Sequence, residues 1–341
     1  MKRTLAGLAA AALLALGAPA LADVRLTGSG ASFPFPLYSA WFNAFGKTDA
    51  GVTVDYQSKG SGAGIQDLTN RVVDFAASDS GMTDEQIGKV EGGVVLLPMT
   101  AGEIVLAYNL PGAPELKLPR DVYPAIFLGE IANWNDPKIA AANPGVTLPD
   151  LPITVVVRSD SSGTTFNFTN HLAAISAPFK AGPGAGSSVQ WPASAKFIKA
   201  PKNDGVTATI MQTPGALGYI EYGYAKLTGS PMASLQNAAG AYVAPGGEGG
   251  PDALADAAFD DHMRAFVSDP KGAEAYPIAT FTWMLFYQNG QDPQKVEALK
   301  KMVEFGLSEG QGMAAEMGYI PLPEPVVEKV RAAAQKIGAG S

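Results

Sequence analysis

The sequence predicts an α/β protein with largely parallel sheets. Short runs rich in β-branched residues alternate with segments of helical periodicity along almost the whole chain. Several joins from strand to helix are rich in glycine and serine, and 341 residues, 47% apolar and 16% charged, are enough for two folded domains.

The chain opens Met1-Lys2-Arg3, continues through an uncharged Ala/Leu run and reaches Ala20-Leu21-Ala22. A basic head, a short apolar region and an A-x-A end read as a cleaved secretory signal over residues 1–22. A membrane anchor is the competing reading, but the run is marginal in length and carries Gly and Pro near its end.

Val24 to Thr27 reads as a strand, and Gly28 to Pro34 leads into a helix carrying Tyr38, Trp41 and Phe45. Val52 to Tyr56 alternates as a strand, and Gly60-Ser61-Gly62-Ala63-Gly64 opens a second helix with Ile65, Leu68 and Val72. Asp74 to Asp79 is a third strand ending in a carboxylate, and Thr83 and Gln86 have the spacing of a capping box. Two apolar strands follow, Val94 to Pro98 and Ile104 to Tyr108, then helices near Val122 to Ile126 and Pro137 to Ala142.

Thr154 to Val157 reads as a buried strand, and a helix with Phe168 and Leu172 comes after it. Beyond a glycine-rich loop from Gly182 to Ser188, the pattern gives a helix from Gly205 to Met211, a Pro214-Gly215 turn and a strand from Leu217 to Tyr222. Gly246 to Gly250 reads as a flexible surface loop. A helix from Asp252 to Phe266, a strand from Phe281 to Tyr287 and helices around Val296 to Phe305 and Pro325 to Ile337 complete the chain.

With residues 1–22 removed, 22 Lys and Arg face 32 Asp and Glu, a formal charge of −10. That balance argues against nucleic acid as a partner. The sequence has no cysteine, hence no disulfide framework and no thiolate metal site. Neither His171 nor His262 sits in a ligand-spaced cluster; both read as helix residues, so no metal and no cofactor is expected. Trp41, Trp134, Trp191 and Trp283 read as packing residues rather than a sugar platform.

The chemistry concentrates at Arg158-Ser159-Asp160-Ser161-Ser162-Gly163-Thr164. One fixed cation, hydroxyls and a glycine stand where the first N–H groups of a helix have no internal partner, which suits an anion. The same residues also fit a plain helix cap beside a surface Arg158–Asp160 pair. Ser32 and Ser61 occupy comparable turns, and in open α/β sheets such turns converge beyond the carboxyl ends of the strands. Each helix terminus contributes about 0.3–1 kcal/mol toward an anion, so several of them with Arg158 suffice without a positive protein.

Asp79 is the exception, because a carboxylate beside an anion repels it unless the anion brings a proton. Phosphate always carries one near neutral pH and sulfate carries none, so an ionised Asp79 accepts from the first and excludes the second. Sites built to bond a donor reject analogues lacking it by about 10⁴–10⁵. As a local turn residue Asp79 would do none of this.

Leu26 to Pro34, Gly60 to Ile65, Val73 to Asp79, Arg158 to Thr164 and Gly215 to Tyr222, in that order, resemble the periplasmic phosphate-binding proteins of high-affinity bacterial phosphate ABC transporters. The resemblance implies a type II-like, two-domain periplasmic binding protein with its ligand cleft between domains joined by crossover strands. Domain I would comprise residues 23–102 and 277–341, and domain II, residues 103–276, would be inserted in it. It also implies phosphate contacts at Ser32, Phe33, Ser61, Asp79, Arg158, Ser162, Gly163 and Thr164, with Asp160 holding the arginine. The implied partners are inorganic phosphate and the permease subunits at the inner membrane, the implied state a periplasmic monomer.

Two positions depart from the family pattern, which usually has Thr at position 32 and a second Ser at position 62. Ser32 keeps the hydroxyl; Gly62 loses one. Among other functions, an arsenate binder shares the protonation logic. A secreted phosphatase or esterase using Ser162 would need glycine at 160 for a nucleophile elbow, and Asp160 stands there.

Overall fold

The computed structural model describes residues 24–49, 51–112, 114–193 and 196–340. The expected leader, residues 1–22, lies outside them. No helix among the described residues is long and apolar enough to cross a membrane.

The chain begins with β1 (Val24–Gly30), α1 (Phe35–Thr48), β2 (Val52–Ser58), α2 (Ser61–Thr69), β3 (Phe75–Ser78) and α3 (Asp84–Gly88). In α1 the apolar stripe Tyr38, Trp41, Phe42 and Phe45 follows helical spacing and is buried, and Pro36 sits in the first turn where its missing N–H costs nothing. The expected Thr83–Gln86 capping box closes both of its bonds at the start of α3. α2 ends at Thr69, so Val72, expected on its buried face, is 63% exposed instead.

β4 (Val94–Tyr108) is a single strand where the sequence suggested two, and all of its 15 residues are buried. Met99 to Glu103, which separate the two expected strands, stay extended. Val94 to Glu103 pair antiparallel with β11, and Ile104 to Tyr108 pair antiparallel with β8.

The middle of the chain supplies β5 (Lys117–Leu118), α4 (Val122–Leu128), α5 (Pro137–Ala142), β6 (Thr154–Arg158), α6 (Gly163–Ile175), α7 (Ala177–Ala181), β7 (Phe197–Ala200), α8 (Lys202–Gln212), β8 (Ala216–Glu221), α9 (Tyr222–Thr228), β9 (Ser234–Gln236) and β10 (Tyr242–Val243). The end supplies α10 (Gly249–Leu254), β11 (Ala279–Tyr287), α11 (Pro293–Leu307), α12 (Glu309–Met317) and α13 (Glu324–Ala334). Gly249 and Gly250, expected in a surface loop, are buried at the start of α10, and that helix stops at Leu254 rather than near Phe266. His262 lies exposed in a turn, not in a helix.

The main sheet runs β2-β1-β3-β11-β4-β8-β6-β7, and β10-β9-β5 form a small second sheet. It is parallel only at its two ends. β2, β1 and β3 run together on one side and β8, β6 and β7 on the other, whereas β11 and β4 are antiparallel to their neighbours. The result is two α/β lobes sharing β4. Separate aromatic clusters fill them: Tyr38, Phe42, Tyr56, Phe75 and Phe286 on one side, Phe127, Phe168, Trp191 and Tyr219 on the other. Complete burial of each such ring contributes about 1.5–3 kcal/mol. Trp41, Trp134 and Trp283 are core residues and Trp191 is half-buried.

Candidate functional site

The carboxyl ends of the parallel strands in both lobes meet. Ser32 follows β1, Ser61 opens α2, Asp79 follows β3, Arg158 ends β6, and Ser162 caps α6 with Gly163 and Thr164 in its first turn. Ser32, Phe33, Ser61, Asp79, Arg158, Ser162, Gly163 and Thr164 are all buried, although most carry polar side chains. Such burial is tolerable only because nearly every polar atom is bonded.

Backbone shape admits the approach. Gly30 takes φ +139° and packs so tightly on Ala77 that an added Cβ would lie 2.1 Å from its carbonyl oxygen; Gly60, at φ +94°, leaves room for the Asp160 carboxylate. β1 and α2 can therefore bring Ser32 and Ser61 to the same edge.

Arg158 is clamped by Asp160, Nε to Oδ1 at 2.8 Å and Nη2 to Oδ2 at 2.6 Å, and its Nη1 donates to Thr164 Oγ1 at 3.3 Å. This pair is not the surface ion pair that the sequence left open, since the arginine side chain is 1% exposed. Burial pushes the Asp160 carboxyl up, but the Arg158 hydrogen bonds and charge, with the Lys202 N–H, hold it below the ordinary carboxylate range.

Asp79 lies on the facing lobe, where the Arg158 charge acts on it. Burial pushes its pKa up to about 7, against the opposing pull of the Thr282 hydrogen bond, the Arg158 charge and the Ser61 hydroxyl. Thr282 Oγ1 donates to Oδ1 at 2.8 Å, and the Asn167 amide donates to the Asp79 carbonyl at 2.7 Å.

Contacts run between the lobes. Gly163 N–H donates to Ser61 Oγ at 3.1 Å, Gly62 N–H to the Ser161 carbonyl at 3.1 Å, and Asn203 to Ser32 Oγ. The Gly163 N–H, expected to face a ligand, is thus engaged by Ser61 in this closed arrangement. The Ser162 hydroxyl accepts the Thr165 N–H as a helix cap, which leaves its own O–H to donate. Phe33 contributes its backbone; its carbonyl accepts from the Tyr319 hydroxyl at 2.9 Å.

Sequence reading missed Asn203, Thr282, Asn167 and Tyr219. Asn203 follows β7, a short strand without clear alternation, so the turn Pro201-Lys202-Asn203 was not recognised as another strand-to-helix join. Thr282 lies inside an apolar strand and is aimed by a register shift between Thr282 and Trp283. No spacing rule marks such a position. Tyr219 reaches Arg158 N and Thr165 Oγ1 with its hydroxyl while stacking on Phe168.

A model of the PBP superfamily domain matches residues 17–309. The chain is 38% identical over 311 residues to the phosphate-binding protein PstS of Pasteurella multocida, covering 90% of this chain and 89% of that one. Against the PstS of Haemophilus influenzae it is 37% identical over 324 residues, 94% and 95% of the two chains. Among solved structures, a phosphate-binding protein from Stenotrophomonas maltophilia superimposes with a TM-score of 0.76 at 20% identity, covering 91% of this chain and 94% of that one. PfluDING, a high-affinity periplasmic phosphate-binding protein solved with phosphate bound, gives 0.72 at 21%, covering 92% and 99%. The two structures speak for the fold.

Proposed function

We propose a function from one premise: the chain belongs to the PBP superfamily and, within it, to the family of PstS phosphate-binding proteins. It binds inorganic phosphate outside the cytoplasm and delivers it to an ABC-type permease at the inner membrane. The observation that carries this reading is one buried cluster that brings together the guanidinium clamped by Asp160, hydroxyls from both lobes and the Asp79 carboxyl, whose pKa burial pushes up to about 7.

The roles follow from the chemistry. Arg158 offers the guanidinium edge that Asp160 leaves open, Ser32, Ser61, Ser162 and Thr164 donate O–H, and Phe33 donates its backbone N–H, while the Gly163 N–H reaches the ligand only by exchanging its bond to Ser61 Oγ. Asp79 accepts the proton that phosphate always carries. Residues 23–102 with 277–341 form one domain and 103–276 the inserted one, so that β4 crosses between them at Glu103 and the cleft closes about that crossing. Residues 1–22 are removed on export, and the mature periplasmic protein is a monomer without metal or nucleic acid.

A serine hydrolase is disfavoured by the surroundings of Ser162. Its oxygen caps α6, and His171 Nε2 is bonded to the Tyr123 hydroxyl at 2.7 Å rather than to a serine. Burial also lowers the His171 pKa to about 4, which makes it a poor base.

The test is calorimetric titration of the mature protein, stripped of ligand, with phosphate, arsenate and sulfate at pH 8. One-to-one phosphate and arsenate binding without sulfate heat is expected. Sulfate binding without phosphate binding would overturn the reading.

A further inference from the structure

We propose that Asn203 is a positioning residue that forces the Ser32 and Thr164 hydroxyls to act as donors only toward the bound oxyanion. This rests on the phosphate-binding reading above and specifies how its hydroxyls are oriented.

The Asn203 side chain is fully buried and every polar atom of it is committed. Its Oδ1 accepts the Glu221 N–H at 3.0 Å, which turns the amide so that Nδ2 faces the site. The two Nδ2 hydrogens go to Ser32 Oγ at 3.0 Å and Thr164 Oγ1 at 3.2 Å, one hydroxyl from each lobe. The Asn203 backbone N–H gives Ser32 Oγ a second donor at 3.1 Å, and Arg158 Nη1 gives Thr164 Oγ1 its second at 3.3 Å.

A hydroxyl oxygen has two lone pairs and one proton. With both lone pairs of Ser32 and of Thr164 taken, each has only its O–H left to offer. Those positions then accept unprotonated ligand oxygens and refuse a P–O–H group, so the ligand's proton is left to Asp79. A ligand oriented otherwise would set donor against donor.

The backbone around Asn203 is arranged for this. Lys202, at the first position of α8, takes φ +58°, a left-handed conformation uncommon for a side chain of this size. It aims its N–H at Asp160 Oδ1 at 3.0 Å. One helix start thus steadies the carboxylate that clamps Arg158 and, one residue later, both hydroxyls.

The experiment is a mutant cycle read by equilibrium binding of inorganic phosphate. Wild-type binding tests the function itself; a wild type that fails to bind phosphate sinks that reading and this inference with it. Given wild-type binding, Asn203→Ala should weaken it by about tenfold to a hundredfold, the range of one or two buried hydrogen bonds. In a Ser32→Ala/Thr164→Val background the same change should cost less than about threefold, because the hydroxyls through which Asn203 acts are gone. An equal loss in both backgrounds means a merely structural asparagine and overturns the proposal.

Asn203→Asp covers the case in which the alanine variant does not fold. It keeps the shape but replaces the donor with an acceptor, drawing both O–H groups away from the ligand, and its loss should likewise shrink in the hydroxyl-free background. Wild-type affinity in Asn203→Asp, or a loss that persists undiminished without the hydroxyls, overturns the proposal.

Discussion

The Thr282 hydroxyl donates to Asp79 Oδ1 at 2.8 Å, from the antiparallel strand β11 into the end of the parallel strand β3. This bond favours the ionised carboxyl, while burial favours the neutral one and carries the pKa up to about 7. Above that pH Asp79 has no proton to give sulfate; below it, the protonated group can donate to a fully deprotonated oxyanion. Sulfate affinity is therefore expected to rise as pH falls through about 7. Thr282→Val removes the lowering bond, so the whole sulfate curve should shift to higher pH. Titrations with sulfate between pH 5 and 9 check both the slope and the shift, and coincident curves for the two proteins would remove Thr282 from the account.

Asp79→Asn replaces the acceptor by an amide that both donates and accepts. The variant should bind sulfate with little pH dependence, and its phosphate affinity should fall by less than its sulfate affinity rises. Paired titrations at pH 8 measure the two changes. Undiminished sulfate rejection in this variant would mean that Asp79 does not set the selectivity.

Glu103 and Glu221 are buried where β4 passes from one lobe to the other, and each has a carboxyl oxygen without a hydrogen-bond partner. Burial raises their pKa values to about 7 and about 8. Unfolded carboxyls lose their protons near pH 4, so between about pH 4 and 8 the folded chain binds more protons, and stability falls as pH rises. The ligand-free protein should melt at a lower temperature at pH 8.5 than at pH 5.5. Glu221→Gln should raise the melting temperature at pH 8.5, by roughly 2–4 °C per kcal/mol recovered, and change it little at pH 5.5. Scanning calorimetry at both pH values decides it.

Gly163 touches the opposite lobe so closely that an added Cβ would stand 2.6 Å from Ser61 Oγ and 2.7 Å from Asp79 Cβ. Alanine suits a helix better than glycine by about 1 kcal/mol, so Gly163→Ala should not lower the ligand-free melting temperature. It should weaken phosphate binding at least about a hundredfold, equivalent to ~2.7 kcal/mol, by holding the lobes apart. Calorimetry gives the affinity, and X-ray scattering with saturating phosphate should show a larger radius of gyration than the wild type.

The sequence made the outer thirds of the sheet readable because β1, β2, β3 and β6 each lead into a glycine or serine turn, and those after β1, β2 and β6 open helices with buried apolar residues. The same turns pointed to Ser32, Ser61, Asp79 and Arg158, which the structure places in two bonded groups, Ser61 with Asp79 and Arg158 through Thr164 and Asn203 with Ser32. β4 was not readable as one strand, since Thr100-Ala101-Gly102 looks like a break and only pairing with β11 and β8 keeps it extended. Thr282 and Asn203 were invisible for a related reason. The contacts of Asn203 with Ser32 and of Thr282 with Asp79 cross more than 170 residues of chain, and nothing in their own neighbourhoods encodes those partners.

Gly62 and Ser161 face each other across the lobes. An added Cβ on Gly62 would lie 2.3 Å from Ser161 Oγ and 2.5 Å from its Cβ, while the Gly62 N–H donates to the Ser161 carbonyl at 3.1 Å. The serine on one lobe fills the space that a side chain at position 62 would need, so the missing hydroxyl and the serine at 161 are two sides of one packing solution. Gly62→Ser alone should prevent that approach and weaken phosphate binding by about tenfold or more, the scale of about 1–3 kcal/mol for overpacking. Ser161→Gly opens the space and should cost little on its own. The double variant should recover most of the lost affinity, a coupling that two independent surface positions would not show. Phosphate titration of the four proteins measures it, and additive losses in the double variant would mean that the two lobes do not meet at this contact when ligand is bound.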